Sequence, residues 1–360
     1  MFIQEATNYD VKIAVLDPAH DAPCSAIAHE FVQGDFNDFD TVMRFAENVD
    51  VLTIEIEHVN VDALEALQST GKKIYPLPEI LRIVKDKGLQ KQFYRLNKIE
   101  TAPFHLVENM EEIGAFTGEF PLIQKLRTGG YDGKGVQALR NNKDLEKAFD
   151  APSVLEPMID FVKELSVIVA RNPSGETKAF PLVEMEFNSE ANLVEFLFSP
   201  ADVSPEIEKN AIALAMQVLE SSRFVGILAV EMFLDRTGQL LVNEIAPRPH
   251  NSGHHTIEAC VTSQYEQHMR AVLDLPLGDT SLLQPAVMIN LLGEKGYSGP
   301  VKYEGLEEVM RWAGVYVHLY GKTETKPFRK MGHITVTADN LADAKTIARK
   351  ALNTVKVKSQ

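Results

Sequence analysis

Four glycines and a lysine lie close together in the stretch Gly129-Gly130-Tyr131-Asp132-Gly133-Lys134-Gly135. Glycine lets a backbone bend sharply and approach a ligand closely. Successive N–H groups together with an ammonium can hold a phosphate. The stretch is not a Walker A loop, because neither a Ser/Thr nor a helix follows Lys134. Residues 121–126 and 136–139 are predicted strands, so the stretch is either a flap that closes over a nucleotide or a flexible hairpin tip.

Two glutamates, Glu231 and Glu244, lie on either side of a predicted hairpin turn. If that turn is symmetric, Glu231 lies opposite Glu244 and Leu234 opposite Leu241, with opposed Cβ atoms about 5 Å apart. Two such carboxylates repel each other unless a cation lies between them, and carboxylates with phosphates suit Mg²⁺. Asn243 could add an oxygen. An odd-length turn would separate the two glutamates, and a surface hairpin is the alternative.

A group of cationic and acidic side chains could handle anions. Lys125 lies inside an apolar predicted strand, where an unpaired charge is costly, so a phosphate is a reasonable partner. Arg248 can bind a carboxylate or bicarbonate through two hydrogen bonds, and His250 can move a proton near neutral pH. Glu55 and Glu57 alternate on a predicted strand and would share one face, or form a solvated edge.

Three histidines close in sequence could suggest zinc, but their spacing argues against it. His250, His254 and His255 are separated by loop-forming residues, and they do not form an i, i+4 pair on a helix. We therefore do not expect zinc at this position.

The elements that must position these residues are predicted by hydrophobic patterning. Predicted strands and helices alternate over residues 11–75, which favours a parallel, doubly wound sheet. Residues 78–103 are mostly helical, and strands dominate from residue 122, with an amphipathic helix over 207–221. A last unit from about 276 holds predicted strands over 286–291 and 333–337 and a helix over 340–352. The fold class is therefore α/β (α+β).

Composition excludes several functional classes. The chain has 360 residues and a formal net charge of −15, which disfavours nucleic acid and anionic membranes as partners. Its two cysteines, Cys24 and Cys260, support no disulfide framework. No apolar run is long enough to span a membrane, and the N-terminus does not resemble a signal peptide. We expect a cytoplasmic protein.

Three motifs carry a specific resemblance. The glycine-rich stretch, the run Val-Asn-Glu-Ile-Ala-Pro-Arg-Pro-His-Asn-Ser-Gly-His from residue 242 and Ile-Glu-Ala-Cys-Val-Thr-Ser-Gln from residue 257 resemble the ATP-grasp enzymes of purine synthesis. The closest resemblance is to the N5-carboxyaminoimidazole ribonucleotide synthetase family, over residues 11 to about 335. It implies an N-terminal Rossmann-like domain (1–80), an ATP-grasp domain (81–275) and a small C-terminal domain (276–360).

The resemblance also implies roles for individual residues. It places a bound nucleotide against Lys87, Lys125, Gly129, Gly130, Tyr131, Asp132, Gly133, Lys134, Gly135, the hinge Glu156, Pro157, Met158 and Ile159, the ribose ligand Glu164, and Asn243 and Glu244. It makes Glu231 and Glu244 ligands of magnesium, with manganese as an alternative. It assigns catalysis to Arg248, His250, Lys134, Glu55 and Glu57, and ribonucleotide binding to Tyr131, Asp132, Asn251, Lys322, Arg329 and Lys330.

The implied reaction is the carboxylation of aminoimidazole ribonucleotide with ATP and bicarbonate, by a homodimer. One alternative is a related ATP-grasp enzyme such as formate-dependent glycinamide ribonucleotide transformylase. Another is a nucleotide-binding protein without turnover. The family opens with a strand and a glycine-rich turn, whereas this sequence opens on a predicted helix. We therefore expect the Rossmann-like domain to lack its first strand and to bind the ribonucleotide weakly.

Overall fold

The computed structural model describes residues 1–130, 135–188 and 193–360. Its N-terminal part alternates helices and strands: α1 (Phe2–Asn8), β1 (Ala14–Asp17), β2 (Glu30–Gln33), α2 (Phe39–Phe45), β3 (Val51–Leu52), α3 (Val61–Ser69) and β4 (Lys73–Ile74). β1 pairs with β2 and β3 with β4, both in parallel, as two separate two-stranded sheets. The parallel direction agrees with the sequence pattern, which did not predict β2.

One N-terminal prediction is wrong. Glu55, Ile56 and Glu57 were expected on a strand, but β3 ends at Leu52 and the chain bends through these three residues. The strand is short because its only partner, β4, has two residues. The two glutamates therefore lie on a loop at the end of β3, and strand alternation does not decide where they point.

Two consecutive helices, α4 (Pro78–Lys85) and α5 (Lys87–Leu96), follow the N-terminal part. Pro78 occupies the first turn of α4, where its missing N–H costs nothing. Asp86 separates the helices and caps α5 by accepting hydrogen bonds from the N–H groups of Gly88 and Leu89. Asp86 also forms two hydrogen bonds with the Arg127 guanidinium, at 2.9 and 2.7 Å, which ties α5 to the next sheet.

That next sheet has four antiparallel strands in the order β5-β8-β6-β7. Its strands are β5 (His105–Val107), β6 (Leu122–Leu126), β7 (Val136–Leu139) and β8 (Ser153–Pro157), and the short helix α6 (Met110–Ile113) lies between β5 and β6 in the chain. The strands predicted on both sides of the glycine-rich stretch are confirmed as β6 and β7. The stretch therefore connects two paired strands at one edge of this sheet.

A nine-stranded sheet forms the centre of the molecule, in the order β14-β13-β9-β11-β12-β15-β19-β17 with β10 also paired to β9. Its first members and their helices are β9 (Phe161–Arg171), β10 (Thr177–Ala179), β11 (Val183–Asn188), β12 (Leu193–Ser199), α7 (Pro205–Ser222), β13 (Gly226–Asp235), β14 (Leu240–Ala246), α8 (Thr256–Ala259) and α9 (Gln264–Val272). One face of β9 and β13 packs on α7 through a large apolar core. The opposite face carries the polar residues described below.

The C-terminal part extends the same sheet. It contains β15 (Ala286–Leu292), β16 (Gly299–Glu304), α10 (Leu306–Val309), β17 (Val315–Leu319), β18 (Glu324–Thr325), β19 (Lys330–Thr337), α11 (Leu341–Thr354) and β20 (Lys356–Ser359). β15, β17 and β19 join the large sheet, and β18, β16 and β20 form a small antiparallel sheet. α11 packs on β15 and β19 around a second apolar core. In the described part of the chain, no helix has the length and apolarity needed to cross a membrane.

Candidate active site

The two glutamates of the predicted hairpin do lie opposite each other, but for a different reason than a symmetric turn. Glu231 on β13 pairs with Glu244 on β14, whereas Leu234 pairs with Leu240, one residue short of its predicted partner. The turn is therefore of odd length, which alone would place the glutamates on opposite faces. A β-bulge that contains Asn243 inserts one residue into β14 and brings both carboxylates to the same face.

The face that carries this pair also carries Glu164 and Ser166 of the neighbouring strand β9, because Ser166 is the cross-strand partner of Glu231. Burial and the charge of Glu244 raise the pKa of Glu231. Burial, together with the Glu244 charge, raises the pKa of Glu164 to about 7. Three carboxylates thus share a small region, and cations must be close by to keep them ionised.

Lysines supply part of that positive charge. Lys87, at the start of α5, forms an ion pair with Glu244, and its charge lowers the pKa of that carboxyl group. Lys125 near the end of β6 donates a hydrogen bond of 2.9 Å to the Asn243 side chain and lies 2.6 Å from Glu156. Lys125 is therefore paired with protein groups, as its position in an apolar strand requires. Lys87 is also partly buried and is not a solvated helical lysine.

The predicted adenine hinge lies at the end of β8. Glu156 is 4% exposed, and Pro157 is the last residue of the strand. The N–H of Met158 donates a hydrogen bond of 2.9 Å to the carbonyl of Pro121. The N–H of Met158 therefore already has a hydrogen-bond acceptor within the protein. The next residue, Ile159, lies beyond the strand. An adenine bound here would have to use other backbone groups of the hinge.

The glycine-rich stretch is only partly described. Gly129 and Gly135 have φ values of 77° and 75°, which favour glycine. The Gly135 carbonyl accepts a hydrogen bond of 2.8 Å from the N–H of Leu126, and a Cβ on Gly135 would lie 3.1 Å from the Cα of Gly130. The two ends of the stretch therefore approach each other closely. Four of the residues of this stretch that were predicted to contact ligands lie outside the described ranges, namely Tyr131, Asp132, Gly133 and Lys134.

Arg248 and His250 follow β14 and face the glutamate pair and the N-terminal part. Arg248 Nε lies 2.9 Å from a carboxylate oxygen of Glu57, so Glu57 is the glutamate of the Glu55–Glu57 loop that pairs with it. Desolvation by the surrounding cleft raises the pKa of Glu55 to about 7 against the opposing charge of Arg248, although the residue keeps a solvent-exposed surface. The loop after β3 thus contributes carboxylates to the cleft, although the strand that was predicted at Glu55 and Glu57 does not form there.

His250 is fixed by a buried glutamine. Gln264, at the start of α9, accepts a hydrogen bond of 2.9 Å from the N–H of His250 and donates one of 2.8 Å to its carbonyl. The His250 ring binds Ser252 through Nδ1 at 2.9 Å, and its Nε2 lies 3.4 Å from Glu231. Burial and then the charge of Arg248 lower the pKa of His250 to about 3. The ring is therefore neutral near pH 7, and it becomes an effective base only when a bound anion raises this pKa.

The predicted ribonucleotide ligands lie in two places. Asn251 follows His250, and its side chain exchanges two hydrogen bonds, of 2.8 and 2.9 Å, with the buried Asn290 on β15. Lys322 donates a hydrogen bond of 2.7 Å to the carbonyl of Lys330, and Arg329 donates one of 2.6 Å to a backbone carbonyl. The charge of Lys330 acts on Glu231 and His250, so this one residue of the basic segment lies near the carboxylate pair.

Sequence reasoning missed three residues that shape this site. Lys91 contacts Glu156, and the sequence feature that could have pointed to Lys91 is its position one helical turn after Lys87. Asn290 is a polar residue inside an otherwise apolar strand, which was the available signal for a buried hydrogen-bond partner. Gln264 is the last residue of one of the quoted motifs, but the sequence assigned it no role, because only the fold brings α9 beneath the loop that carries His250.

The carboxylate pair is the best candidate for a cation. Among residues 1–130, 135–188 and 193–360, no group of three or more His, Cys, Asp or Glu side chains is arranged to hold a metal ion. Glu231 and Glu244 nevertheless oppose each other at a short cross-strand spacing, beside the Asn243 amide. Two carboxylates and few further protein ligands suit magnesium, which completes its coordination with water and phosphate oxygens.

Models of three protein families match consecutive parts of the chain. The ribonucleotide synthetase preATP-grasp domain matches residues 1–85, the ATP-grasp domain matches 92–265, and the phosphoribosylaminoimidazole carboxylase C-terminal domain matches 286–346. These matches agree with the ATP-grasp architecture expected from the sequence motifs.

Known proteins resemble the chain over nearly its whole length. The N5-carboxyaminoimidazole ribonucleotide synthase of Bacillus subtilis is 39% identical over 93% of this chain and 87% of its own. The phosphoribosylaminoimidazole carboxylase of Ogataea methanolica is 40% identical over 95% of this chain. The chain spans only 65% of that longer relative, slightly less than two thirds.

Solved structures are similar as well. The crystal structure of N5-carboxyaminoimidazole ribonucleotide synthetase from Thermotoga maritima has a TM-score of 0.93 and 43% identity, covering 100% of this chain and 96% of that one. The Aspergillus clavatus N5-carboxyaminoimidazole synthase, solved in complex with ADP and 5-aminoimidazole ribonucleotide, has a TM-score of 0.89 and 31% identity. It covers 98% of this chain and 94% of its own.

Proposed function

The chain belongs to the N5-carboxyaminoimidazole ribonucleotide synthase family, and on that premise we propose that it is an ATP-grasp ligase that carboxylates 5-aminoimidazole ribonucleotide with bicarbonate. The observation that carries this proposal is the meeting of two groups in one cleft. The paired carboxylates Glu231 and Glu244, with the lysines beside them, suit the phosphates of ATP. Arg248 and His250, on the adjoining loop, suit a small anion.

ATP binds between the four-stranded sheet and the large sheet. Lys87 and Lys125 contact its phosphates, which replaces some of their present bonds to Glu244 and Asn243. The hinge at the end of β8 holds the adenine, and Glu164 accepts hydrogen bonds from the ribose. The glycine-rich stretch closes over the phosphates and keeps out water, which would otherwise hydrolyse a reactive acyl phosphate.

Glu231 and Glu244 hold a magnesium ion, and Asn243 is close enough to add an oxygen ligand. When bound, the ion neutralises part of the charge on the phosphates. The present contacts favour this assignment. The pKa of Glu231 is raised by burial and by Glu244, and a divalent cation between the carboxylates would remove that repulsion.

In the first step an oxygen of bicarbonate attacks the γ-phosphorus of ATP, the bond to the bridging oxygen breaks, and ADP leaves. Both reactants are anions, so Arg248 binds and orients the bicarbonate while the lysines stabilise the charge on the phosphates. Glu57 holds the guanidinium of Arg248 in place. The product is carboxyphosphate.

In the second step the exocyclic amine of the ribonucleotide attacks the carboxyl carbon of carboxyphosphate, or of the CO₂ that it releases, and phosphate leaves. The amine loses a proton, and His250 is the candidate acceptor once a bound anion raises the low pKa of its neutral ring. Lys322, Arg329 and Lys330 bind the 5′-phosphate, and Asn251 binds the ribonucleotide from the loop after β14. The solved relative that contains ADP and 5-aminoimidazole ribonucleotide supports this assignment of substrates.

The proposal is tested by measuring ADP release with purified protein, ATP, magnesium and 5-aminoimidazole ribonucleotide. We expect release that requires bicarbonate, and isotope from labelled bicarbonate in the ribonucleotide product. Release that requires formate and glycinamide ribonucleotide would instead identify a transformylase. Tight ATP binding with no ADP release under any condition would identify a nucleotide-binding protein without turnover.

A homodimer is also part of the proposal. It follows from family membership, because the contacts within one chain give no information on assembly. Sedimentation equilibrium measures it directly: a mass of one 40.1 kDa chain at micromolar concentration would contradict it.

A further inference from the structure

One buried carboxylate lies between two lysines at the nucleotide end of the cleft. Glu156 on β8 is 4% exposed, and Lys91 on α5 is 3% exposed. The Lys91 ammonium contacts one oxygen of Glu156, and Lys125 Nζ lies 2.6 Å from the other. Neither the family resemblance nor the proposed mechanism uses Lys91.

The two lysines differ in how they are held. Lys91 also donates a hydrogen bond of 2.5 Å to Thr101, whose hydroxyl donates one of 2.6 Å to the carbonyl of Val242 on β14. Lys91 is therefore bound on two sides by protein groups deep in the structure. Both lysines line a small cavity together with Lys87 and Asn243, but Lys125 is the more exposed of the two. Lys91 is held by Thr101 as well as by Glu156, whereas the other partner of Lys125 is the Asn243 side chain in the cavity, so Lys125 is the lysine that is better placed to turn toward a ligand.

Phosphate binding would change the partners of Lys125. A phosphate that binds Lys125 competes with Glu156 for the same ammonium group. If Lys125 were the only partner of Glu156, the movement of the Lys125 ammonium to the phosphate would leave a buried carboxylate without a counter-ion, which is strongly unfavourable. Lys91 prevents this because it contacts the other oxygen of the same carboxylate.

We infer that Lys91 is a positioning residue for nucleotide binding: it remains the counter-ion of Glu156 and so allows Lys125 to pass from that carboxylate to a phosphate of ATP. Burial lowers the pKa of Lys91 to about 8 against the opposing effect of Glu156, so the residue is charged at neutral pH. The inference rests on the proposed function to the extent that the ligand is ATP.

The test is the dissociation constant for magnesium ATP, measured by isothermal titration calorimetry on the full chain. Lys91→Met leaves Glu156 dependent on Lys125, and we expect ATP affinity to fall by about tenfold or more, the loss of a charge-assisted bond. Lys91→Met with Glu156→Gln removes both charges, so Lys125 is free again. We expect that double variant to recover affinity to within about threefold of wild type, far from additive behaviour.

The matched control is Lys98→Met, which removes an exposed lysine from the segment after α5 and should leave ATP affinity unchanged. Thermal unfolding is measured for every variant, because a merely structural role would lower stability without rescue of affinity in the double variant. If Lys91→Met does not fold, Lys91→Gln decides: it keeps a polar group beside Thr101 but supplies no counter-ion to Glu156, so ATP affinity should still fall by about tenfold.

Several outcomes overturn the inference. Wild-type affinity in Lys91→Met would show that Glu156 needs no second counter-ion. A double variant as weak as Lys91→Met would show that the loss does not come from an unpaired carboxylate, and Lys91→Gln with wild-type affinity would show that Glu156 needs no second counter-ion. A wild-type chain that binds no ATP would refute the proposed function itself, together with this inference.

Discussion

Gly253 offers a sharp test of how the loop after β14 is positioned. A Cβ added to this residue would lie 2.2 Å from Cδ1 of Ile168 and 2.4 Å from the side-chain oxygen of Gln264. Ile168 is 3% exposed and Gln264 is completely buried, so neither has space to move away. Gly253→Ala must therefore displace Gln264 or the loop itself, and Gln264 makes two hydrogen bonds to the backbone of His250.

The magnitude follows from these contacts. Overpacking a tight interior costs about 1–3 kcal/mol. Each lost hydrogen bond between Gln264 and His250 adds about 1 kcal/mol. We expect Gly253→Ala to lower the free energy of unfolding by about 2–5 kcal/mol and the melting temperature by about 3–7 °C. Displacement of the His250 ring by about 1 Å would reduce bicarbonate-dependent ADP release by about 100-fold, while ATP affinity stays close to that of wild type.

The assays are thermal unfolding by circular dichroism and ADP release at saturating ATP. Gly114→Ala is the matched control, because its added Cβ meets no atom within 4 Å and its φ of −55° is helical. That variant should be unchanged or slightly more stable, by about 0.5–1 kcal/mol. A Gly253→Ala variant that melts and turns over like wild type would refute the claim that this glycine is required for the close approach to Gln264.

Further predictions concern the charged groups. Glu231→Gln and Glu244→Gln should each nearly abolish ADP release, and the double variant should be scarcely worse because both would bind one cation; multiplicative losses would contradict a shared site. Arg248→Met should lose bicarbonate-dependent turnover but bind ATP normally by calorimetry; a collapse of ATP binding would show that it is misplaced. Asp86→Asn should cost about 2–4 kcal/mol, because it weakens the cap of α5 and a charge pair with Arg127. Burial opposes ionisation of Asp86, but the hydrogen bonds from Arg127 and from the N–H groups of α5 outweigh burial and lower the pKa of Asp86. The stability that the ionised Asp86 contributes is therefore fully present above the pKa of about 3.9 in the unfolded chain, and it is lost as pH falls through the lower pKa in the folded protein. Urea unfolding of the Asp86 variant below pH 4 should then depend less on pH than in wild type; an equal dependence would refute this assignment.

Local patterns predicted the parts of the site that lie close together in sequence. The flanks of the glycine-rich stretch were predicted as short strands, and they pair with each other as β6 and β7. Glu231 and Glu244 were placed opposite each other, but the bulge at Asn243 that makes this possible was not foreseen. A bulge depends on how β14 meets its neighbours, and hairpin symmetry alone does not contain that information.

The sequence could not predict the contacts between distant segments. Lys87 and Glu244 are 157 positions apart, and Lys125 and Asn243 are 118 apart. Glu57 was a candidate on a strand and proved to be the partner of Arg248 from a loop. Such pairings arise when separate sheets and helices pack together, and no local propensity encodes them. The motif resemblance named residues from all of these segments, because it carries information on the whole fold.

The cations of the cleft share one property that bears on how an acidic chain binds an anionic nucleotide. Lys87 pairs with Glu244, Lys125 with Glu156, and Arg248 with Glu57. A buried cation without a partner is costly, so each is neutralised by a carboxylate, and binding must proceed by exchange of partners. On the proposed function, a magnesium ion that accompanies ATP would give Glu244 a new partner when Lys87 turns to the phosphates. Glu156 is not among the residues proposed to hold that ion, so on the inference drawn above it is left with Lys91 as its remaining counter-ion.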